Sequence, residues 1–190
     1  MRDEIGSIQV GGRNLIENSA TMTGGAWGSW TDSSSVTMER KLKNDVVYQW
    51  SIEASDLSAD AWSNVYTSCG SANDPLMCKG EQVNMSVWYY VDSAKTAVDS
   101  TVYFELGSYN AQGQYVAGNS IALTADNLKK DRWTQIALSY TPTSDDECYV
   151  NCAFGMRKNG NVAFSMPKLE RGKIITDWSL APEDILRAMA

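Results

Sequence analysis

Between positions 82 and 91 apolar and polar side chains alternate almost without a break. Val83, Met85, Val87, Tyr89 and Val91 fall on one side, with Asn84, Ser86, Trp88 and Tyr90 on the other. A period of two sends the sets to opposite faces of an extended strand, whereas a helix would scatter both around its axis. The stretch 101–110 repeats the pattern, with Val102, Phe104 and Leu106 opposing Tyr103, Glu105 and Tyr109. The stretches 46–53, 132–141, 147–157 and 161–170 are rich in β-branched and aromatic residues and show no helical stripe. One apolar and one polar face per strand describes sheets packed on one side and wet on the other.

Turn-forming clusters separate these runs: Gly24-Gly25, positions 32–35, 70–75 and 110–113, and Asn159-Gly160-Asn161. The last carries the Asn-Gly signal of a two-residue hairpin. Short helices are expected over 124–130 and, after Pro182 with its acidic Glu183 and Asp184, over 182–189. Roughly ten strands at regular spacing predict an all-β protein, a two-sheet antiparallel β-sandwich of jelly-roll type with a short C-terminal helix start. The 190 residues suit one domain. We expect a linker over 1–12, the sandwich over 13–182 and the start of a following helical segment over 183–190.

Composition narrows function by exclusion. The chain has no histidine, which removes Ser–His and Cys–His nucleophile pairs and every histidine metal site. A net charge of −7 repels phosphate backbones, so no nucleic-acid partner is expected. No run approaches the roughly 18 apolar residues of a spanning helix, so no membrane insertion is expected either. The start, Met1-Arg2-Asp3-Glu4, lacks the basic and apolar regions of a secretory signal. Cys69, Cys78, Cys148 and Cys152 are therefore expected as reduced thiols. In an oxidising exterior, Cys69 and Cys78 would close a loop. The cysteine spacings do not match the close pairs of a zinc site. Seven Trp and nine Tyr stand against three Phe, a bias toward rings with a polar edge, suited to wet interfaces.

The segment Gly11-Gly12-Arg13-Asn14-Leu15-Ile16-Glu17-Asn18-Ser19 resembles the opening strand of modules in bacteriophage tail and host-recognition proteins. The closing run Phe164-Ser165-Met166-Pro167-Lys168-Leu169-Glu170-Arg171-Gly172, followed by Thr176-Asp177-Trp178-Ser179-Leu180-Ala181-Pro182-Glu183-Asp184, resembles their ending. Such modules are similar to the family 4/9-type carbohydrate-binding jelly rolls. The resemblance implies a non-catalytic module that binds host cell-surface glycan on a sheet face or edge. It implies a place in the virion tail, other tail chains as partners and a parent protein that is a homotrimer. Many such modules hold a structural calcium between an acidic residue after the first strand and an aspartate in the last. Here Ser19-Ala20-Thr21-Met22 and Pro167 occupy those places, which leaves Glu17 and Asp177 as the metal candidates.

Sugar recognition needs flat rings for pyranose faces and amides or carboxylates for hydroxyls. Trp88 and Tyr90 share a strand face with Asn84 and Ser86, while Tyr103, Glu105 and Tyr109 share the polar face of the next strand. On one sheet the two sets would form a single platform; alternatively Trp88 belongs to the core. Trp62, Asn64 and Tyr66 line one face of a further strand, either a binding stripe or a half-buried edge. Trp27 and Trp30 fall in a Gly/Ser-rich loop, and Trp30 is a ligand candidate. Arg157 ends a strand, where it either bonds a sugar or caps the strand in solvent. Trp133 and Trp178 are assigned to packing. Glu53, Glu105 and Glu147 lie on separate runs, and no nucleophile motif accompanies them. The chain is therefore not expected to be an enzyme. The rival to glycan binding is a structural spacer or oligomerisation domain whose aromatics are buried against a neighbouring chain.

Overall fold

The alternating runs become ten strands and one helix in a computed structural model, which describes residues 12–44 and 47–188. In chain order these are β1 (Trp27–Thr31), β2 (Val36–Leu42), β3 (Tyr48–Ala54), β4 (Trp62–Cys69), β5 (Val83–Tyr90), β6 (Thr101–Tyr109), β7 (Tyr115–Thr124), β8 (Thr134–Tyr140), β9 (Tyr149–Arg157), β10 (Gly160–Arg171) and α1 (Pro182–Ala188). They form two antiparallel five-stranded sheets. The front sheet has the order β1-β4-β9-β6-β7 and the back sheet β2-β3-β10-β5-β8. The expected sandwich is the observed one. The expected linker at 1–11, Val46 of the 46–53 run and residues 189–190 of the final helix lie outside the described residues. No helix of the described residues is long and apolar enough to cross a membrane.

Between the sheets, Phe104, Phe154 and Phe164 are fully buried and pack ring on ring at 5.3 and 5.8 Å. All three phenylalanines are therefore spent on the core. Tyr89 joins them from β5, 5.7 Å from Phe104. Ser63 and Thr67 also point inward from β4. Ser63 is satisfied by the Thr31 hydroxyl at 2.8 Å.

The two quoted end motifs meet in space. Asn14 is fully buried; its amide donates to the Pro167 and Ser179 carbonyls at 3.2 and 2.9 Å. Its Oδ1 accepts from the backbone N–H groups of Ile16 and Leu169. Pro167, which has no N–H to give, sits in the bulge where the β10–β5 register shifts between Ser165 and Lys168. Beyond it Lys168 and Glu170, each 1% exposed, form an ion pair at 3.4 Å on the outer side of the back sheet. The Lys168 ammonium also donates to Thr176 and to the Asp177 carbonyl at 2.7 Å. The segment after β10 is thereby tied down as a roof over that half of the back sheet.

Three local expectations are corrected. Residues 124–130 make a single turn, closed by Leu128 N–H to Thr124 at 3.0 Å, rather than a helix. Trp27 and Trp30 lie on an edge strand rather than in a loop. Asn159-Gly160 does not close a hairpin, because β9 and β10 belong to different sheets. Lys158 at φ 67° and Gly160 at φ 149° turn the chain across the sandwich. The Asn159 side chain fixes that arch on Leu57 and Asp99. β7, an edge strand after the 110–113 turn, has no counterpart among the runs named from the sequence.

Candidate functional site

The register of the front sheet arranges its outward residues in rows. Trp62 of β4 stands beside Arg157 of β9 and Thr101 of β6; the next row holds Trp30, Asn64, Gly155 and Tyr103. Then follow Gly28, Tyr66, Ala153 and Glu105, and next Ser68, Asn151 and Gly107. The last row is Tyr149, Tyr109 and Tyr115. Small residues in the middle rows and rings at the ends hollow this face into a cleft of about 310 Å³. It is lined by Trp30, Asn64, Tyr66, Glu105, Tyr109, Asn151 and Ala153.

The absent side chains shape this floor. A Cβ on Gly28 would lie 2.4 Å from Cζ of Tyr66, so only glycine lets that ring lie across β1. A Cβ on Gly155 would lie 2.1 Å from the Ser63 carbonyl oxygen, where β4 and β9 approach each other. At one end Trp62 meets Tyr103 edge to face at 4.8 Å. The Arg157 guanidinium covers Trp62 at 5.0 Å and is ion-paired with Asp60. At the other end Tyr109 stacks on Tyr149 at 5.5 Å and 12°, with Tyr115 edge-on at 5.7 Å.

The cleft centre holds buried acceptors. Among the described residues, the Oδ1 atoms of Asn64 and Asn151 are buried with no hydrogen-bond partner. A buried unsatisfied acceptor costs about 1–3 kcal/mol. Burial, the larger influence, pushes the Tyr103 pKa up to about 12 against the opposing pull of the neighbouring Asn64 side chain. Burial and the nearby Glu105 carboxylate likewise raise that of Tyr109. Both tyrosines thus keep their protons near neutral pH and can donate. Rings facing solvent around orphaned acceptors make a surface built for a flat, hydroxyl-bearing ligand.

Trp30, Asn64, Tyr66, Glu105 and Tyr109 are brought together here, with Trp62, Tyr103 and Arg157 adjoining at one end. Trp88, Tyr90 and Asn84 are not. The single-platform expectation is corrected, because β5 lies in the back sheet and β6 in the front. Asn84 is 1% exposed and fully occupied, accepting from Gln82 and Ser139 and donating to the Gly172 carbonyl at 2.7 Å. Tyr90 packs on Trp133 at 5.6 Å, and the Lys43 ammonium sits 3.6 Å over that indole, its pKa lowered by burial. Asn151 and Tyr149 escaped the sequence reading. Strand parity held the signal for both, since Val150, Cys152, Phe154 and Met156 all point inward.

Calcium does not fit these residues. Among the described residues no three His, Cys, Asp or Glu side chains converge, and Glu17 and Asp177 form no such cluster. At the Asp177 carbonyl the acceptor is already taken by an ammonium, that of Lys168. All four cysteines are free; Cys69 is buried and Cys78 exposed, so the Cys69–Cys78 pairing is not formed. The three carboxylates weighed for hydrolysis lie apart. Glu53 pairs with Lys95 on the back sheet, and Glu147 is buried on Ser108 and Tyr140. Glu105 is the one in the cleft.

The fold is similar to that of solved carbohydrate-binding β-sandwiches. A carbohydrate-binding module of promiscuous specificity from the β-sandwich superfamily superposes with a TM-score of 0.56 at 12% identity, over 84% of this chain and 63% of that one. The xylan-binding CBM22-1 domain of Paenibacillus barcinonensis Xyn10C gives 0.51 at 10% identity, over 86% and 97%. The enzymatically active domain of bacteriophage CBA120 tailspike protein 4 gives 0.58 at 14% identity, over 82% of this chain but only 21% of that one. No family model and no curated protein matches the sequence. At these identities the likeness is one of fold.

Proposed function

We propose that this chain is a non-catalytic glycan-binding module that takes a polysaccharide segment in the front-sheet cleft. The observation that carries the reading is the front-sheet cleft itself, in which the rings of Trp30, Tyr66 and Tyr109 surround Asn64, Asn151 and Glu105. Sugar hydroxyls would satisfy the acceptors while the rings cover pyranose faces. The fold, shared with carbohydrate-binding modules, supports it.

The module's place is a bacteriophage tail or tail-fibre host-recognition protein of the virion, with host cell-surface polysaccharide as target and other tail chains as neighbours. The end motifs and the likeness to one tailspike support this placement. A homotrimeric parent would present three weak sites together and gain by multivalency. A glycan array with the isolated chain tests the binding. Trp30→Ala and Tyr109→Ala should each weaken the best hit by about tenfold, whereas Trp88→Ala should leave it unchanged. Loss of binding on Trp88→Ala alone would move the site to the back sheet. Failure to bind any host-surface fraction would favour the structural-spacer reading. Turnover of the polysaccharide would overturn the non-catalytic one.

A further inference from the structure

Among the described residues the cleft has an excess of acceptors and no free cation to match them. Asn64 Oδ1 and Asn151 Oδ1 are unpaired, and among the described residues Glu105 has no ion-pair partner. No Lys or Arg lines the cavity. The nearest cation on this face, Arg157, is already held by Asp60 and by the Trp62 ring. The other charged group at that end is Asp32, whose carboxylate accepts the Trp62 N–H at 3.1 Å. Glu105 and Asp32 both act on the Tyr103 hydroxyl in the sense of negative charge. The remaining titratable groups on this face are the tyrosines Tyr66, Tyr103, Tyr109, Tyr115 and Tyr149.

A ligand that covers Glu105 strips water from a carboxylate. A neutral sugar replaces that water with hydroxyl hydrogen bonds but leaves the charge uncompensated. An ammonium supplies donors and cancels the charge together, and the electron-rich faces of Trp30 and the tyrosines add cation–π attraction. A uronate or sialate would instead set a second negative charge beside Glu105. We propose that the cleft selects glycan segments carrying a free, protonated amino group, such as a de-N-acetylated hexosamine unit, over neutral and anionic ones. This choice of ligand class rests on the glycan-binding reading above.

Calorimetric titration of the chain with four tetrasaccharides tests it: β-1,4-linked glucosamine, its fully N-acetylated counterpart, a neutral glucan and a galacturonate. The glucosamine tetramer should bind about tenfold tighter than the two neutral sugars, with no measurable binding of the galacturonate. Raising the pH until the amine is uncharged should abolish the preference, and so should Glu105→Gln. Asn151→Ala, which removes an uncharged acceptor, should weaken glucosamine and neutral tetramers alike and keep their ratio. Equal or tighter binding of the neutral tetramers to the unaltered chain overturns the proposal while leaving glycan binding intact. So does a preference that survives Glu105→Gln, which would belong to the overall charge of −7. Binding of none of the four overturns the proposal, and glycan binding then stands or falls on the array and the host-surface fractions.

Discussion

Asn84 and Asn151 are both outward-facing asparagines on inner strands, one on β5 of the back sheet and one on β9 of the front. Asn84 has Glu170 and Ser139 beside it across the ladders and the Gly172 carbonyl within reach, and its amide is fully bonded. Asn151 has Ser68 and Gly107 beside it, and its oxygen is orphaned. The residue type is the same, so the difference lies in what the neighbours leave open. Large polar neighbours and a roofing segment close the back face. Glycine, alanine and serine leave the front face hollow. Polar groups satisfied from within hold the fold together, and polar groups left over are available to a ligand.

The largest test of that contrast is Lys168→Met. It leaves Glu170 buried without its counter-ion, although the Thr176 N–H and hydroxyl still bond that carboxylate at 2.7 Å. Breaking a buried pair from one side costs about 3–5 kcal/mol. Urea denaturation should show that loss, with glycan affinity unchanged in whatever fraction remains folded. A loss below about 1 kcal/mol would mean that the roof is held mainly by other contacts.

Exchanging the two asparagines for alanine sets the faces directly against each other. Asn84→Ala should lose about 1–3 kcal/mol of stability, because Ser139, Gln82 and the Gly172 carbonyl lose a shared partner. Asn151→Ala should lose none, since it deletes an acceptor that folding already leaves unsatisfied, and should weaken glycan binding. Destabilisation of both variants by the same amount would show that Asn151 is structural after all.

The asparagines also show what the sequence could and could not convey. Parity puts Glu105 and Tyr109 opposite Val102, Phe104 and Leu106, and so outward, whereas Asn64 and Tyr66, opposite Ser63 and Val65, read equally as a binding stripe or a half-buried edge. Parity says nothing of which strands share a sheet. β5 and β6 follow each other in the chain, yet the segment between them crosses from the back sheet to the front, and this split Trp88 and Tyr90 from Tyr103 and Glu105. Sheet membership is set by pairing between distant segments such as β6 with β9, which no local pattern encodes. Trp30 was identified as a candidate without its strand, since the Gly/Ser content of β1 reads as loop until β4 supplies a ladder.

A smaller effect is expected where the sheets are bridged. Glu147, buried, accepts from Ser108 of the front sheet at 2.5 Å and Tyr140 of the back sheet at 2.6 Å, and from the Thr143 and Ser144 N–H groups. Burial alone would raise its pKa, but the hydrogen bonds outweigh that and hold it below the usual carboxylate range. A depressed folded pKa means that the unfolded chain binds the proton first. The stabilisation is therefore complete above the unfolded value of about 4.3 and is lost as pH falls through the folded value. Glu147→Gln should lower the melting temperature at neutral pH by an amount equivalent to about 1–2 kcal/mol and flatten its decline in acid. An unchanged acid limb would assign that decline to other carboxylates. Because Glu147 does not line the cleft, affinity at neutral pH should be unmoved.

The gentlest probe of the open face is Gly28→Ala. The added methyl meets the far end of the Tyr66 ring, whose Cζ and hydroxyl would lie 2.4 and 2.5 Å away, and a ring tip can swing aside. Gly28 is on an edge strand and is not among the positive-φ glycines, so alanine is compatible with its backbone. Stability should change by less than about 1 kcal/mol. The displaced ring would no longer line the cleft beside Trp30, and affinity for the best glycan should fall by roughly three- to tenfold. If the hollow is made by small residues that let rings lie flat, a methyl group on its rim will lower affinity while scarcely moving the melting temperature. Were affinity to hold while Tyr66 had demonstrably moved, Tyr66 would be a wall of the cleft and no part of its grip.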